Sequence, residues 1–424
     1  MKIGVFLNGL GLGGSEKAAS YWALALQKRG HSVGVLSLAD GERRADLERN
    51  GVTVSLLPRD EREMSGFLHA ANYEVIHTHA PGHPHLGDIL GDALRSLPKI
   101  PVVQTNIFGR FDNPREDAWT DFRLFVSWTS CVQAARRSFR RLDLDFFRRR
   151  SVAVYPLDPD DGPSQAEIDR FRSQQGIREN EIVFGRLSRP EPNKWTDLPI
   201  ESFRIAARRQ PMIKLLLREP PSAVRRQLES APDRNRFIIL PATSDRSELA
   251  LTIASLDAIL HTSIIGESFG YGIAEPMNYA KPVIANSTPW QDQAQIELVR
   301  PGDCGFIAST PHTMAHCILT LANDAALRLK LGRNGRTHIR RLADPAESTN
   351  RIEGTLRATL EGHDNPRAEE DLAKAQATAA YLDEHQFGNA WREQLSLRQQ
   401  YYRTRLHEFR SMLASRRGAR YRNR

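Results

Sequence analysis

Short apolar runs and helical stretches take turns along the first 155 residues, break off, and then take turns again. The first series is "KIGVFL" (2–7), "VGVLSL" (33–38), "VTVSLL" (52–57), "EVIHTH" (74–79), "IPVVQT" (100–105) and "LFVSWT" (124–129). The second is "EIVFGRLS" (181–188), "IKLLLR" (213–218), "RFIILP" (236–241), "LDAILHTS" (256–263), "KPVIANS" (281–287) and "CGFIAS" (304–309). Strands alternating with helices build a parallel sheet covered by helices on both faces. Between the series lies "YPLDPDDGPSQ" (155–165), whose Pro, Asp and Gly read as a linker. The expected fold is therefore α/β, with two Rossmann-like, doubly wound domains in series, which suits a chain of 424 residues. Ligands collect at the carboxyl ends of the strands in such sheets, so two domains facing each other would enclose a cleft. Residues 1–155 make the first domain, 156–180 the linker and 181–345 the second domain. Residues 346–424 make a helical, Arg-rich C-terminal extension.

Charge and cysteine usage narrow the function classes. No run of some 18 apolar residues exists, so no membrane span is expected. The first residues read as a strand entering a glycine loop, not as a signal peptide. Cys131, Cys304 and Cys317 are odd in number and far apart, which argues against a disulfide framework or a zinc site and fits a reducing cytoplasm. A net charge of +8 points to anionic company, such as nucleotides, phosphorylated substrates, acidic lipid or nucleic acid. Positive charge gathers at 133–151 and 411–424. In the last segment Trp391, Leu395, Tyr402, Leu406, Phe409 and Leu413 share one helical stripe. Docking onto the body of the protein is the expected use of that stripe; a membrane-surface or nucleic-acid helix is the alternative.

Two stretches carry chemistry. In "NGLGLGGSEKAA" (8–19), Gly9, Gly11 and Gly14 fit the G-x-G-x-x-G pattern between a strand and a helix from Ser15 to Arg29, which Gly30 closes. That loop suits either a nicotinamide dinucleotide or another phosphate. A dehydrogenase would use Asp40 on the ribose, yet the second half offers no hydride-transfer site. In "HTSIIGESFGYGIAEPMNYAKPVIANSTPW" (261–290), an apolar strand ends in a loop carrying Glu267, and a helix follows with Glu275 in its early turns. Free N–H groups and the helix dipole make such a helix start an anion site. A carboxylate at Glu275 can accept from two vicinal hydroxyls, as a ribose offers. His79 ends a strand and would line the cleft, while His77 reads equally as a core residue. "HAPGHPH" (79–85) lacks a carboxylate or Cys to complete a metal site, and the Asp-x-Asp of "LDLDFF" lies among arginines in an expected helix.

Glu267 and Glu275, with seven residues between them and Phe269-Gly270 inside, resemble the signature of family-4-type retaining glycosyltransferases of GT-B fold. "FGRLSRPEPNKWTD" (184–197), the stretch "AKPVIANSTPWQDQAQIELVRPGDCGFIAS", the loop "GLGGSEKAA" and "YEVIHTHAP" resemble further segments of that family, over roughly residues 1–345. The resemblance implies that the first domain takes the acceptor and the second a nucleotide sugar. It implies Glu275 on the ribose, Glu267 on hydroxyls of the transferred sugar, and the backbone at Phe269, Gly270 and Tyr271 on the diphosphate. Arg186 and Lys194 would supply fixed positive charge to the leaving diphosphate, in place of a metal ion. Gly13 and Gly14 would touch the donor. Where the family carries a His after its "VV-x-T" strand, this chain has Asn106, and Ala280 stands where a glycine commonly ends the Glu helix.

The implied activity is metal-independent, retaining transfer of a sugar from a nucleoside diphosphate to a hydroxyl acceptor, with no cofactor. The acceptor could be a glycan, a lipid-linked glycan, a small molecule, a protein or modified nucleic acid. The setting would be cytoplasmic, with the basic tail offering a peripheral membrane or polyanion contact. Two rivals stand: a nucleotide-sugar epimerase of the same fold, and a polyanion- or membrane-binding protein with a vestigial site.

Overall fold

The computed structural model describes residues 1–80, 88–109, 118–191, 194–388 and 391–422. They form two compact units, Met1–Asp158 with Ala343–Ala380, and Pro159–Leu342 with Tyr381–Arg424. The stretch expected as one helical extension is thus divided between the units.

The first unit holds a seven-stranded sheet of β1 (Lys2–Leu7), β2 (Ser32–Ser37), β3 (Thr53–Leu56), β4 (Val75–Ala80), β5 (Val102–Asn106), β6 (Phe122–Phe125) and β7 (Arg150–Val152), in the order β3-β2-β1-β4-β5-β6-β7. Every pairing is parallel. Both faces are covered, so β1 reads as a near-continuous apolar run rather than an alternating one: Ile3, Val5, Phe6 and Leu7 are all buried. On one face Phe6, Leu36, Ile76 and Val102 pack with Met64, Leu68 and Leu90.

Two local readings change here. Strand β6 ends at Phe125, and Trp128 already belongs to the helix Trp128–Arg137, because Ser127 and Ser130 form a reciprocal cap that stops the strand. Strand β7, unexpected from the sequence, lies in the arginine-rich stretch. Its Arg150 is buried with the guanidinium over the Phe146 ring at 4.9 Å. Asp143 of "LDLDFF" caps the short helix Leu144–Phe147 by accepting from the Phe146 N–H at 2.9 Å.

The same arginines hold the returning segment. Arg148 and Arg149 pair with Asp364 at 2.7 and 3.0 Å, and Arg136 donates to the Ala379 carbonyl at 3.3 Å. At the sheet edge Asp371 is fully buried and accepts from Arg351 (2.7 Å), Ser151 (2.6 Å) and Asn365 (2.9 Å). Removing Arg351 would strand the Asp371 carboxylate in the interior.

The second unit holds β8 (Ile182–Leu187), β9 (Ile213–Arg218), β10 (Phe237–Leu240), β11 (Ala258–His261), β12 (Val283–Ala285) and β13 (Gly305–Ile307), parallel in the order β10-β9-β8-β11-β12-β13. Phe184, Leu215, Leu217, Ala258, Leu260 and Ile284 pack there with Phe203, Ile318 and Leu321. Residues of the linker are pinned to this unit: Tyr279 donates to Asp160, and Arg336 pairs with Asp161 at 2.8 Å. Both sheets reverse their strand order once, between β1 and β4 and between β8 and β11. Such a switch point leaves a crevice at the strands' carboxyl ends.

Among the described residues no helix is long and apolar enough to cross a membrane. Cys131, Cys304 and Cys317 are free thiols. The histidine-rich segment after His79 falls largely outside the described residues.

Candidate functional site

Arg186 is the next-to-last residue of β8, at the switch point of the second sheet, and its side chain is fully buried. Nη2 donates to the carbonyls of Thr262, at 2.6 Å, and Lys194. The guanidinium lies over the Trp195 ring at 4.9 Å. Its Nε and Nη1 have no hydrogen-bond partner among the described residues. Burial lowers its pKa to about 10, with Glu267 pulling the other way, so it stays cationic at neutral pH. A buried cation with two unsatisfied donors calls for an anion.

Glu267 sits in the loop between β11 and the helix Tyr271–Asn278. Its Oε1 accepts from Lys194 Nζ at 2.8 Å and from His261 Nε2 at 3.1 Å. Burial opposes its ionisation, but Lys194 and His261 together outweigh that and bring the carboxyl down to about 2. His261 ends β11. Burial lowers its pKa, although Glu267 partly offsets this, so the neutral ring donates through Nε2. Both of these bonds fall on one carboxylate oxygen.

The backbone around this carboxylate leaves no room for a side chain. Gly266 has φ +67°, and a Cβ there would lie 1.7 Å from the Asp292 carbonyl oxygen. Gly270, at φ 99° and ψ 69°, caps the following helix with no side-chain cap. A Cβ on Gly272 would come within 3.3 Å of the His261 ring, a tight contact that would press on the imidazole. The Glu267 N–H donates to Gln295 Oε1 at 3.2 Å, and its carbonyl accepts from the Ala294 N–H at 2.7 Å. Phe269 is 2% exposed, with its ring edge-on to Tyr271 at 5.1 Å. Glu275 is the fifth residue of the helix, just past its first turn, and is half-buried. Ala280 takes the left-handed conformation, φ 55°, that a glycine would adopt more easily.

In the first unit the switch point is built differently. His77 and His79 project to one face of β4 with ring centroids 4.5 Å apart, and Trp22 lies 5.7 and 5.5 Å from them. His77 shares a hydrogen bond with Thr105 Oγ1 at 2.8 Å. Burial takes His77 down to about 3; burial and His77 together hold His79 far below the ordinary imidazole value. His79, expected to line a cleft, is 2% exposed, and neither ring nitrogen has a partner among the described residues. Asn106 is buried at the end of β5. Gly13 caps the helix Gly14–Lys28, and a Cβ on it would fall 2.1 Å from Glu16 Oε2. A glutamate three residues into a helix commonly reaches back to the cap in this way.

The sequence matches the family described as "Glycosyl transferases group 1" over residues 167–338, and the "Glycosyl transferase 4-like domain" over residues 13–184. The chain belongs to the family-4-type glycosyltransferases of GT-B fold. No curated protein sequence matches it. Among solved structures it is similar to the Anabaena protein Alr3699/HepE in complex with UDP-glucose, with TM-score 0.70 and 20% identity, covering 84% of this chain and 100% of that one. A glycosyltransferase from Rickettsia africae gives TM-score 0.71 at 13% identity, over 85% and 99% of the two chains. Sucrose-phosphate synthase from Thermosynechococcus elongatus gives TM-score 0.64 at 17% identity, over 85% and 100%. At these identities the likeness is one of fold.

In this glycosyltransferase, Arg186, Lys194 and Glu267 come together in one cluster, and Gly270 and Tyr271 start the helix beside it. His261 was missed. A histidine six residues before Glu267, at the end of an apolar strand, was visible as "LHTSIIGE", but a single ring at a strand end carries no spacing signal.

Proposed function

We propose that the chain is a retaining glycosyltransferase that uses a nucleoside-diphosphate sugar, without a metal ion, in the cytoplasm. The observation that carries this reading is Arg186, a buried guanidinium with two donors unpartnered among the described residues, placed beside Glu267 and Lys194 at the switch point. That arrangement suits a diphosphate whose charge grows as the sugar departs. Oε1 of Glu267 takes both Lys194 and His261, so Oε2 is the oxygen for sugar hydroxyls. Glu275 takes the ribose hydroxyls, and the capless start of its helix takes phosphate oxygens.

In the transfer, the bond from the anomeric carbon to the β-phosphate oxygen breaks, and its electron pair stays on that oxygen. Arg186 and Lys194 stabilise this charge. The acceptor oxygen bonds to the same face of the anomeric carbon, and its proton passes to a phosphate oxygen of the leaving group. The first unit serves the acceptor, and Gly13 and Gly14 border the donor. UDP-sugars are the first donors to test, since HepE is solved with UDP-glucose.

The test is donor binding and transfer by Glu275→Ala. Donor affinity should fall at least tenfold, the loss of about one charged hydrogen bond. Unchanged affinity and unchanged transfer would overturn the assignment. Donor turnover in the absence of any acceptor would instead favour an epimerase.

A further inference from the structure

The last helix, Trp391–Arg422, carries two apolar faces. One is turned to the second unit. There Glu393, 4% exposed, accepts from the Ser309 N–H and from Thr313 Oγ1 (3.2 Å), at the start of the helix Pro311–Asn323. Leu397 is 6% exposed, and Tyr401 meets Phe387 edge-on at 5.6 Å. The helix dipole of Pro311–Asn323 favours a carboxylate at that place.

On the other face lie Leu395, Tyr402 and Leu406, three members of the stripe that the sequence suggested would dock, and these three are open. Leu395, Tyr402 and Leu406 are 43%, 61% and 51% exposed. At about 100° per residue they fall within an arc of roughly 40°. By the same count Arg398 and Arg405 run along one border and Arg403 and Arg410 along the other, each roughly 60–80° from the centre. From Gln394 to Arg424 the chain has nine arginines and one acidic residue, Glu408. Neither family match extends past residue 338, so this surface lies outside the shared domains.

We propose that this face is a docking surface for an anionic lipid membrane, on which the helix lies flat. An apolar stripe with cations on both sides fits the boundary between acyl chains and acidic headgroups. A nucleic acid would take the arginines but leave the leucines unused. A second copy of the chain, packed about a two-fold axis, would bring arginine against arginine. The surface stands independently of the sugar-transfer reading.

The test sediments the full-length protein with vesicles of phosphatidylcholine alone, and of phosphatidylcholine mixed with phosphatidylglycerol. Binding to the mixed vesicles only, weakened by salt, is expected. Replacing Leu395, Tyr402 and Leu406 together by Ser should weaken it by about tenfold or more, with the melting temperature unchanged. Should that variant melt early, Tyr402→Ser alone carries the test, with a smaller loss expected. Equal binding by the variants, or no binding by the parent protein, would overturn the proposal. So would RNA binding without vesicle binding, or a dimer that the triple variant converts to monomers without any vesicle binding.

Discussion

At the carboxyl ends of β1 and β4 the gathered side chains are aromatic and neutral: Trp22, His77 and His79 in mutual ring contact, both imidazoles uncharged. At the carboxyl ends of β8 and β11 they are charged: Arg186, Lys194 and Glu267, with His261 holding the carboxylate. The strand order reverses in the same way at both places. Topology thus sets where a ligand can sit, and the side chains set which ligand it is. The charge at the second sheet suits an anion. The first offers rings, together with an imidazole whose nitrogens have no partner among the described residues.

The largest effect should come from removing charge at the second switch point. Arg186→Met keeps a long unbranched side chain at the buried position and deletes the guanidinium that lies over Trp195. Transfer should fall on the order of 10³-fold, in initial-rate measurements with saturating acceptor. His79→Phe should leave donor affinity unaltered, and a fall beyond about twofold would erase the contrast between the two sheets.

His79→Phe should show itself instead in acid unfolding. A buried neutral imidazole has a folded pKa below its unfolded value. Its contribution is full above about 6.5 and is lost as pH falls below that, by up to about 1.4 kcal/mol per pH unit for each ring. Replacing His79 should therefore make stability less steep in pH between about 6 and 4, read from urea midpoints. Glu267 behaves with the other sign of charge. Its pair with Lys194 contributes fully above the ordinary carboxylate value of 4.5 and fails as pH approaches 2.

A smaller effect should follow from His261. His261→Leu removes one hydrogen bond from Glu267 and should lower kcat about tenfold, while the acid limb of the pH profile moves upward as the carboxyl loses a donor. His261→Gln, which can donate to the same oxygen, should recover most of that loss. A leucine variant with the parent's pH profile would show that the ring merely fills space.

The smallest effect should come from Gly13→Ala. The backbone there, φ −62° and ψ 161°, accepts alanine, and the atoms nearest to a new Cβ belong to the flexible end of Glu16. Thermal unfolding should reveal a loss of about 1 kcal/mol or less, from the displaced glutamate and the poorer cap.

How far the sequence could be read depended on what each residue does. Short apolar runs bounded by turn residues announced β1 and β2, since alternating with helical stretches they suit strands covered on both faces. Strand β7 gave no such signal, because its burial relies on a guanidinium laid over Phe146 rather than on aliphatic side chains. Arg186, Lys194 and Glu267 were legible through family resemblance, which fixes position along the chain; the bond between His261 and Glu267 is a tertiary fact. Along the final helix Leu395, Tyr402 and Leu406, expected to dock, are exposed instead. Periodicity displays an apolar stripe, but Glu393 at a helix start and Leu397 beside it decide which side is covered.

Because Ala343–Ala380 completes the unit that begins at Met1, synthesis in chain order leaves that unit unfinished while the whole of Pro159–Leu342 emerges. Asp371, Arg351 and the Ser348 hydroxyl that takes the Trp22 indole N–H all arrive late. The nascent first unit must wait, one edge uncovered, for a clasp encoded downstream of the whole second sheet. A transcript cut short after residue 342 would yield one sheet able to close and another without its fastening.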